Sequence, residues 1–185
     1  KIFQSELLPK DNRYASVVYY AAVSAYNLQK YSQALKYFQE YLSTGTDTQQ
    51  KDCYVYMNMI YQSQKKYADQ ERILLKANEK YPVSLDFLYN LVNVYIATNN
   101  MEKLLGAIDK ILAVDPNNDK VLPIKARILE RQGKNIEALD IYKRLYALYP
   151  NNFELMTGVA RANFNCATEI VNNGATIAND TEYAL

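Results

Sequence analysis

The sequence predicts an all-α fold, a right-handed superhelical solenoid of antiparallel helix pairs, and three observations carry that prediction. Pro82, Pro116 and Pro150 lie 34 residues apart. Tyr67, Met101 and Asn135 keep the same interval, each fifteen residues upstream of one of those prolines. Between the prolines, apolar residues recur with helical spacing, twice per interval. A period of this length marks a stacked helix–turn–helix repeat, in which no pair can bury its own apolar stripe and the next pair must cover it. Only 5 Gly and 5 Pro in 185 residues leave little material for a many-stranded, turn-rich β fold.

The elements follow in order. Residues 1–14 read as the tail of a second helix from a preceding unit, with Ile2, Phe3, Leu7 and Leu8 ahead of Pro9. Four repeats then fill residues 15–152. The first begins near Ala15 and predicts helices over 12–28 and 32–43. Its Tyr31 stands 36 residues before Tyr67, so the connection carries two extra residues, assigned to the turn Ser43-Thr44-Gly45-Thr46-Asp47. The second unit, Lys51 to Ser84, predicts helices over 48–64 and 67–80. The third, Leu85 to Asn118, shows one stripe at Leu88, Leu91, Val92 and Tyr95 and another at Leu104, Leu105, Ile108, Ile111 and Leu112. The turn formers Thr98-Asn99-Asn100 separate helices over 84–98 and 101–114. The fourth, Asp119 to Asn152, predicts helices over 118–132 and 135–148, with Gly133 free to take a left-handed C-cap. Pro123 is tolerable in the first turn after a cap at Asn118 or Asp119. Ser84, Asn117-Asn118 and Asn151-Asn152 are good N-cap residues. Residues 153–185 read as a partial fifth repeat: a long helix over 152–172, a turn at Asn172-Asn173-Gly174, then a C-terminal loop. The chain reads as a window cut from a longer array.

Composition narrows the function. Hydrophobic residues make up 49% of the chain, too many for a disordered segment. A net charge of +1 recruits neither nucleic acid nor anionic lipid. No apolar run approaches the roughly 18 residues of a membrane span. There is no histidine, no CxxC, no GxSxG and no phosphate-cradling glycine loop, so no enzyme, metal or cofactor is expected. Asp109, Glu137 and Asp140 sit among lysines and read as solvated helix faces. Cys53 and Cys166 fall in the second and fifth units. Stacked pairs advance about 10 Å per unit, and a disulfide spans at most about 7 Å between Cα atoms. Both cysteines are therefore expected to be free, which leans toward the cytoplasm over a periplasm. The start at Lys1, without methionine, is compatible with a removed leader. Abundant asparagine, lysine, tyrosine and isoleucine suggest an AT-rich bacterial genome.

With this period and the residues that fill its places, the chain resembles the tetratricopeptide repeat family over roughly residues 15–166. Ala22 and Ala126 fill the small place of the first helix, and Tyr61 and Tyr95 a large one. Gly133 fills the turn glycine, from which Gln29, Lys65 and Asn99 depart. Tyr31 and Tyr67 fill the aromatic place after the turn; Met101 and Asn135 depart from it. Ala34 and Ala138 occupy the small place where second helix meets first, with Phe38 and Tyr142 four residues on.

The resemblance implies a protein-interaction scaffold that takes a peptide or partner segment in a concave groove lined by the first helices. Carried onto this chain, one line of the groove reads Val23, Met59, Asn93, Arg127, Arg161. A second reads Tyr19, Val55, Tyr89, Pro123, Thr157, and a third Tyr26, Gln62, Ile96, Glu130, Phe164. Candidate site residues are therefore Tyr19, Tyr26, Met59, Tyr89, Asn93, Arg127, Arg131, Arg161 and Phe164. The early groove is apolar and aromatic. The late groove carries arginines suited to an acidic or carboxylate-bearing peptide; the competing expectation pairs Arg127 with Glu130 on its own helix. The opening places Tyr19, Val23, Val55 and Met59 lack the lysines and asparagines with which chaperone-binding members hold a C-terminal carboxylate. Two further readings stand beside the groove: a structural spacer or self-association module of a larger bacterial protein, acting through the array's ends or convex face, and a regulatory segment of an enzyme lying outside this chain.

Overall fold

The computed structural model of the chain describes residues 12–44 and 47–182. Among these residues there is no strand. The helices are α1 (Asn12–Asn27), α2 (Tyr31–Thr44), α3 (Asp47–Ser63), α4 (Tyr67–Lys80), α5 (Leu85–Ala97), α6 (Met101–Val114), α7 (Leu122–Arg131), α8 (Asn135–Leu148) and α9 (Phe153–Glu182). The chain divides into two compact units, residues 1–107 and 108–185, with the boundary inside α6. The expected helix tail before Ala15 lies outside the described residues but for its last three. Of the turn assigned to Ser43–Asp47, Ser43 and Thr44 still belong to α2, and Asp47 already opens α3.

In the first unit α1 packs on α2, α2 on α3, α3 on α4 and α4 on α5. Ala22, Ala34 and Phe38 are completely buried there, as the repeat requires of its small and aromatic places. The second unit packs α7 on α8 and α8 on α9. Its core joins Leu122, Ala126 and Leu129 of α7 to Ala138, Tyr142 and Leu145 of α8 and to Leu155 and Ala162 of α9. Side chains without a β-carbon branch at Ala126 and Ala138 let the helix axes close to within about 8–10 Å.

One core place is filled by a polar residue. Asn58 stands 36 residues after Ala22, in the small place, and is only 5% exposed. Its Oδ1 accepts from Gln70 Nε2 at 2.9 Å, and its Nδ2 donates to Asn90 Oδ1 at 3.2 Å. Asn90 in turn donates to the Asp86 carbonyl at 2.8 Å. The chain of amides ties α3 to α4 and α5. It removes the penalty of about 1–3 kcal/mol that an unpartnered buried amide would carry.

Two turns alternate along the chain, and each explains a sequence landmark. Within a pair, the first helix ends on a left-handed residue: Gln29 (φ 57°), Lys65 (53°), Asn99 (52°) and Gly133 (74°). The amide after each donates to a carbonyl five residues back, Lys30 to Ala25, Lys66 to Tyr61, Asn100 to Tyr95 and Lys134 to Leu129, all at 2.9 Å. This is one Schellman cap repeated four times. Between pairs, the N–H of Ser84, Asn118 and Asn152 donates to the carbonyl of Tyr81, Asp115 and Tyr149, at 3.0, 3.2 and 3.0 Å. Each turn has proline second, where its fixed φ suits the first central position. The proline period is thus a turn period.

Three expectations need correction. The helix expected over 118–132 starts only at Leu122. Asn118 closes a local turn instead, its Oδ1 accepting from the Lys120 N–H at 3.2 Å and its Nδ2 donating to Asp115 Oδ2 at 2.8 Å. A helix begun at Asn118 would put Pro123 past the first turn, where it removes a hydrogen bond and clashes; beginning at Leu122 places it second. The turn expected at Asn172-Asn173-Gly174 is absent, and α9 continues to Glu182. No proline follows those residues, and asparagine or glycine inside a helix costs only about 0.5–1 kcal/mol each. Ser84 occupies the N-cap of α5 yet makes no cap bond, and its hydroxyl is buried without a partner. Asn152 does cap α9, accepting from Glu154 and Leu155 N–H at 3.0 and 3.2 Å.

Two outcomes follow. Lys65→Gly, and separately Gln29→Gly, should raise stability by about 0.5–1 kcal/mol, because glycine enters the left-handed region without the β-carbon penalty. Urea unfolding measures it, and a lowered midpoint contradicts the cap. Ala34→Leu and Ala138→Leu should each destabilise by about 1–3 kcal/mol through overpacking. An unchanged midpoint for both would mean that these alanines do not set helix approach.

Candidate functional site

The first unit carries five of the candidate residues. Tyr26 of α1 and Met59 of α3 meet, the hydroxyl lying 4.0 Å from the Met59 sulfur. The Tyr26 ring also stands edge-on to Tyr56, 5.0 Å between centroids, and Tyr56 stacks on the buried Phe38 at 5.2 Å. Tyr19 packs on Tyr41 at 5.4 Å, with its hydroxyl 3.4 Å from Asp52 Oδ2. Burial, with help from the Asp52 carboxylate, pushes the Tyr19 hydroxyl up to about 12, so it remains a neutral donor. Tyr19, expected as a contact surface, is therefore partly engaged in packing. Tyr89 and Asn93 lie one helical turn apart on α5. Val55, Met59 and Ile96 are 39%, 42% and 48% exposed and give the first helices an apolar face.

The second unit carries the arginines, and it holds a cleft of about 680 Å3 lined by Arg127, Arg131 and Arg161 together with Pro123, Glu130 and Tyr142. Glu130, at the end of α7, is the hub. Its carboxylate receives Arg161 side-on, Nε to Oε1 at 2.9 Å and Nη2 to Oε2 at 3.0 Å. The Tyr142 hydroxyl donates to Oε2 at 3.0 Å and accepts from Arg161 Nη2 at 3.3 Å. The guanidinium sits 6.0 Å from the Tyr142 ring centroid. The Glu130 side chain is only 9% exposed, whereas that of Arg161 is 53% exposed. A shielded carboxylate thus fixes an accessible guanidinium, and such a bidentate pair is stronger and better oriented than a neutral hydrogen bond. Burial first, then the bond to Glu130, holds the Tyr142 hydroxyl above its usual range, so that hydroxyl remains a neutral donor at neutral pH.

Arg127 does not take Glu130. Its Nη2 donates to Glu154 Oε1 at 3.0 Å, between side chains 58% and 79% exposed. A pair in that much water contributes little and exchanges readily. At the far end of the cleft, Tyr149 donates to Asp119 Oδ2 at 2.8 Å. Phe164 is 71% exposed and lines a neighbouring cleft of about 450 Å3, which shares Glu130 and Asn165 with the first. Thus Arg127, Arg131, Arg161 and Pro123 come together as the repeat phase implies. Tyr19, Tyr26, Met59, Tyr89 and Asn93 belong to the other unit.

Sequence reasoning missed Gly158 and the second role of Tyr142. A β-carbon on Gly158 would lie 2.8 Å from two carbons of the Tyr142 ring. Glycine therefore lets α9 pass directly over the ring that positions Glu130 and Arg161. The one available signal was Gly158 itself, unusual inside an amphipathic helix stretch. Gly158→Ala should destabilise by about 1–3 kcal/mol, since neither helix backbone nor ring can yield freely. Thermal unfolding of the variant measures this; a wild-type midpoint would mean that Tyr142 moves aside at no cost.

Cys53 and Cys166 are both free, Cys53 buried and Cys166 half-buried. Burial pushes the Cys53 thiol up to about 12, which leaves it inert. Among the described residues no group of histidine, cysteine, aspartate or glutamate could hold a metal ion, and no helix is long and apolar enough to cross a membrane.

No family model matches the chain. An uncharacterized protein of Sinorhizobium fredii, y4yS, is 29% identical over 83 residues, 45% of this chain and 46% of that protein. The match therefore spans less than half the length of that relative. Among solved structures, MamA AMB-1 superposes with a TM-score of 0.62 at 17% identity, covering 85% of each chain. A tetratricopeptide repeat protein from Parabacteroides merdae superposes with a TM-score of 0.57 at 18% identity, covering 89% of this chain and 63% of that one. Helix pairs, Schellman caps and proline turns in phase, together with these likenesses, give the chain the tetratricopeptide-repeat fold.

Proposed function

We propose that this chain is a protein-interaction scaffold and that the arginine-lined cleft of residues 108–185 receives an acidic or carboxylate-bearing segment of a partner protein. The observation that carries the reading is the state of the three guanidiniums. Arg161 is held in one orientation by a carboxylate that is itself shielded from solvent. Arg127 is tied only to the exposed Glu154, and Arg131 has no ion pair among the described residues. Glu130 and Asp119 are committed to internal bonds, so an incoming carboxylate meets Arg127 and Arg131 with a fixed third cation behind them. A cleft of this size suits a short peptide stretch. The repeat fold supports the reading generally, because its members present first-helix faces to protein partners.

A second reading, self-association through the end of the array, has one observation in its favour. Beyond Ala162 the described part of α9 leaves Phe164, Ile170 and Val171 71%, 70% and 68% exposed.

A panel of fluorescent acidic peptides, titrated at low and high salt, tests the first reading. Arg127→Ala combined with Arg131→Ala should weaken any peptide that binds saturably by at least about tenfold, given about 1.5–3 kcal/mol per charge-assisted bond. Added salt should weaken it as well. Tyr19→Ala, in the other unit, should leave it nearly unchanged. Equal binding by the double variant, or saturable binding by no peptide, contradicts the proposal.

A further inference from the structure

The first unit contains a second cavity, of about 310 Å3, that no part of the groove reading uses. It opens between α2 and α4, the second helices of two successive pairs, and α3 forms its floor. The α3 residues that reach it are Tyr54, Met57 and Tyr61, spaced three and four apart. At 100° per residue this is the side of α3 turned away from the exposed Val55 and Met59. The cavity therefore lies off the first-helix face altogether.

Its floor is apolar and tightly packed. Met57, Tyr61 and Ile73 are 1%, 5% and 7% exposed. Its rim carries two cations, Arg72 and Lys76, one turn apart on α4, facing the uncharged Gln39 and Ser43 of α2. Arg72 donates an Nη2 bond to Asp69 at 2.6 Å, also meets the Tyr61 hydroxyl at the edge of the floor, and keeps its side chain 57% exposed. Lys76 has no ion pair among the described residues. An apolar floor below a cationic rim fits a large aliphatic side chain with a carboxylate close beside it. The volume is at the lower limit of ligand pockets, roughly 300 Å3, which suits one residue and excludes a cofactor.

We infer that this cavity is a second docking site, on the outer side of α2 and α4, that takes a leucine-like side chain with an adjoining carboxylate from an acidic, aliphatic partner segment. Charge complementarity selects the occupant. A purely apolar side chain would leave Lys76 without a counter-charge, and a basic segment would be repelled by the rim. The site is independent of the arginine cleft, so either can fail alone.

Methyl NMR of the whole chain, titrated separately with N-acetyl-L-leucine and with N-acetyl-L-leucinamide, tests the inference. The carboxylate probe should shift the Met57 and Ile73 methyls saturably, with affinity on the order of millimolar, as befits so small a ligand. The amide, and the Lys76→Gln variant with the acid, should each bind about threefold more weakly, the size of one exposed ion pair. Arg131→Gln should change nothing. No saturable shift at those two methyls overturns the proposal. Equal binding of acid and amide, or an unaffected Lys76→Gln variant, overturns it too.

Discussion

Each helix of this chain can hide its apolar stripe only against a neighbour, and the width of the contact is set by small side chains at repeated places. Ala22 and Ala34 in the first unit and Ala126 and Ala138 in the second are all completely buried. Burial of apolar area supplies about 25 cal/mol per Å2, but only if the neighbouring helix arrives at the right distance and phase. The two alternating turns deliver that phase. The left-handed cap reverses the chain within a pair, and the proline turn starts the next pair. Without these turns the same apolar residues would satisfy several competing packings.

The polar features of the molecule are built on this packing rather than added beside it. Asn58 takes a place that alanine fills elsewhere, and Gln70 and Asn90 answer it with bonds that also lock α3, α4 and α5 in register. Tyr142 fills an aromatic core place, yet its hydroxyl reaches the Glu130 carboxylate and thereby orients Arg161. Gly158 brings α9 close enough for that arrangement. The cleft is rigid where it touches the core and labile at Arg127–Glu154, where both partners are in water. That contrast favours the proposed recognition: Arg161 is preorganised, Arg127 can exchange its partner, and Arg131 has no ion pair among the described residues.

The fold was legible because the prolines, and the places of Tyr67, Met101 and Asn135 after the turns, recur at a fixed interval that marks stacked helix pairs. The small places Ala22, Ala34, Ala126 and Ala138 were legible for the same reason. The left-handed residues Gln29, Lys65 and Asn99 were visible only as departures from glycine; the backbone adopts the cap regardless, at the cost of a β-carbon held close to the following carbonyl. The length of α9 was not legible, because Asn172-Asn173-Gly174 resembles a turn locally and nothing local reveals that the helix continues. For the cleft, the repeat phase put Arg127 and Arg161 in corresponding places. It left open which of them Glu130 would bind, since a residue three positions back along the same helix and one on the next first helix are both within reach. Burial decides it: Glu130 is shielded, and Arg161 approaches with two bonds while Arg127 points to Glu154.

The dependence of each helix on its neighbour is tested most directly by amide hydrogen exchange on a chain ending at Leu148. This removes α9 and uncovers the stripe formed by Ala138, Tyr142 and Leu145. Protection across α8 should then collapse toward that of an isolated helix, because a helix of 14 residues is marginal without a covered face. Amides of α3 and α4, buried within the other unit, should keep their protection. Full protection of α8 in the shortened chain would contradict the claim that the repeat is stable only when the next element covers it.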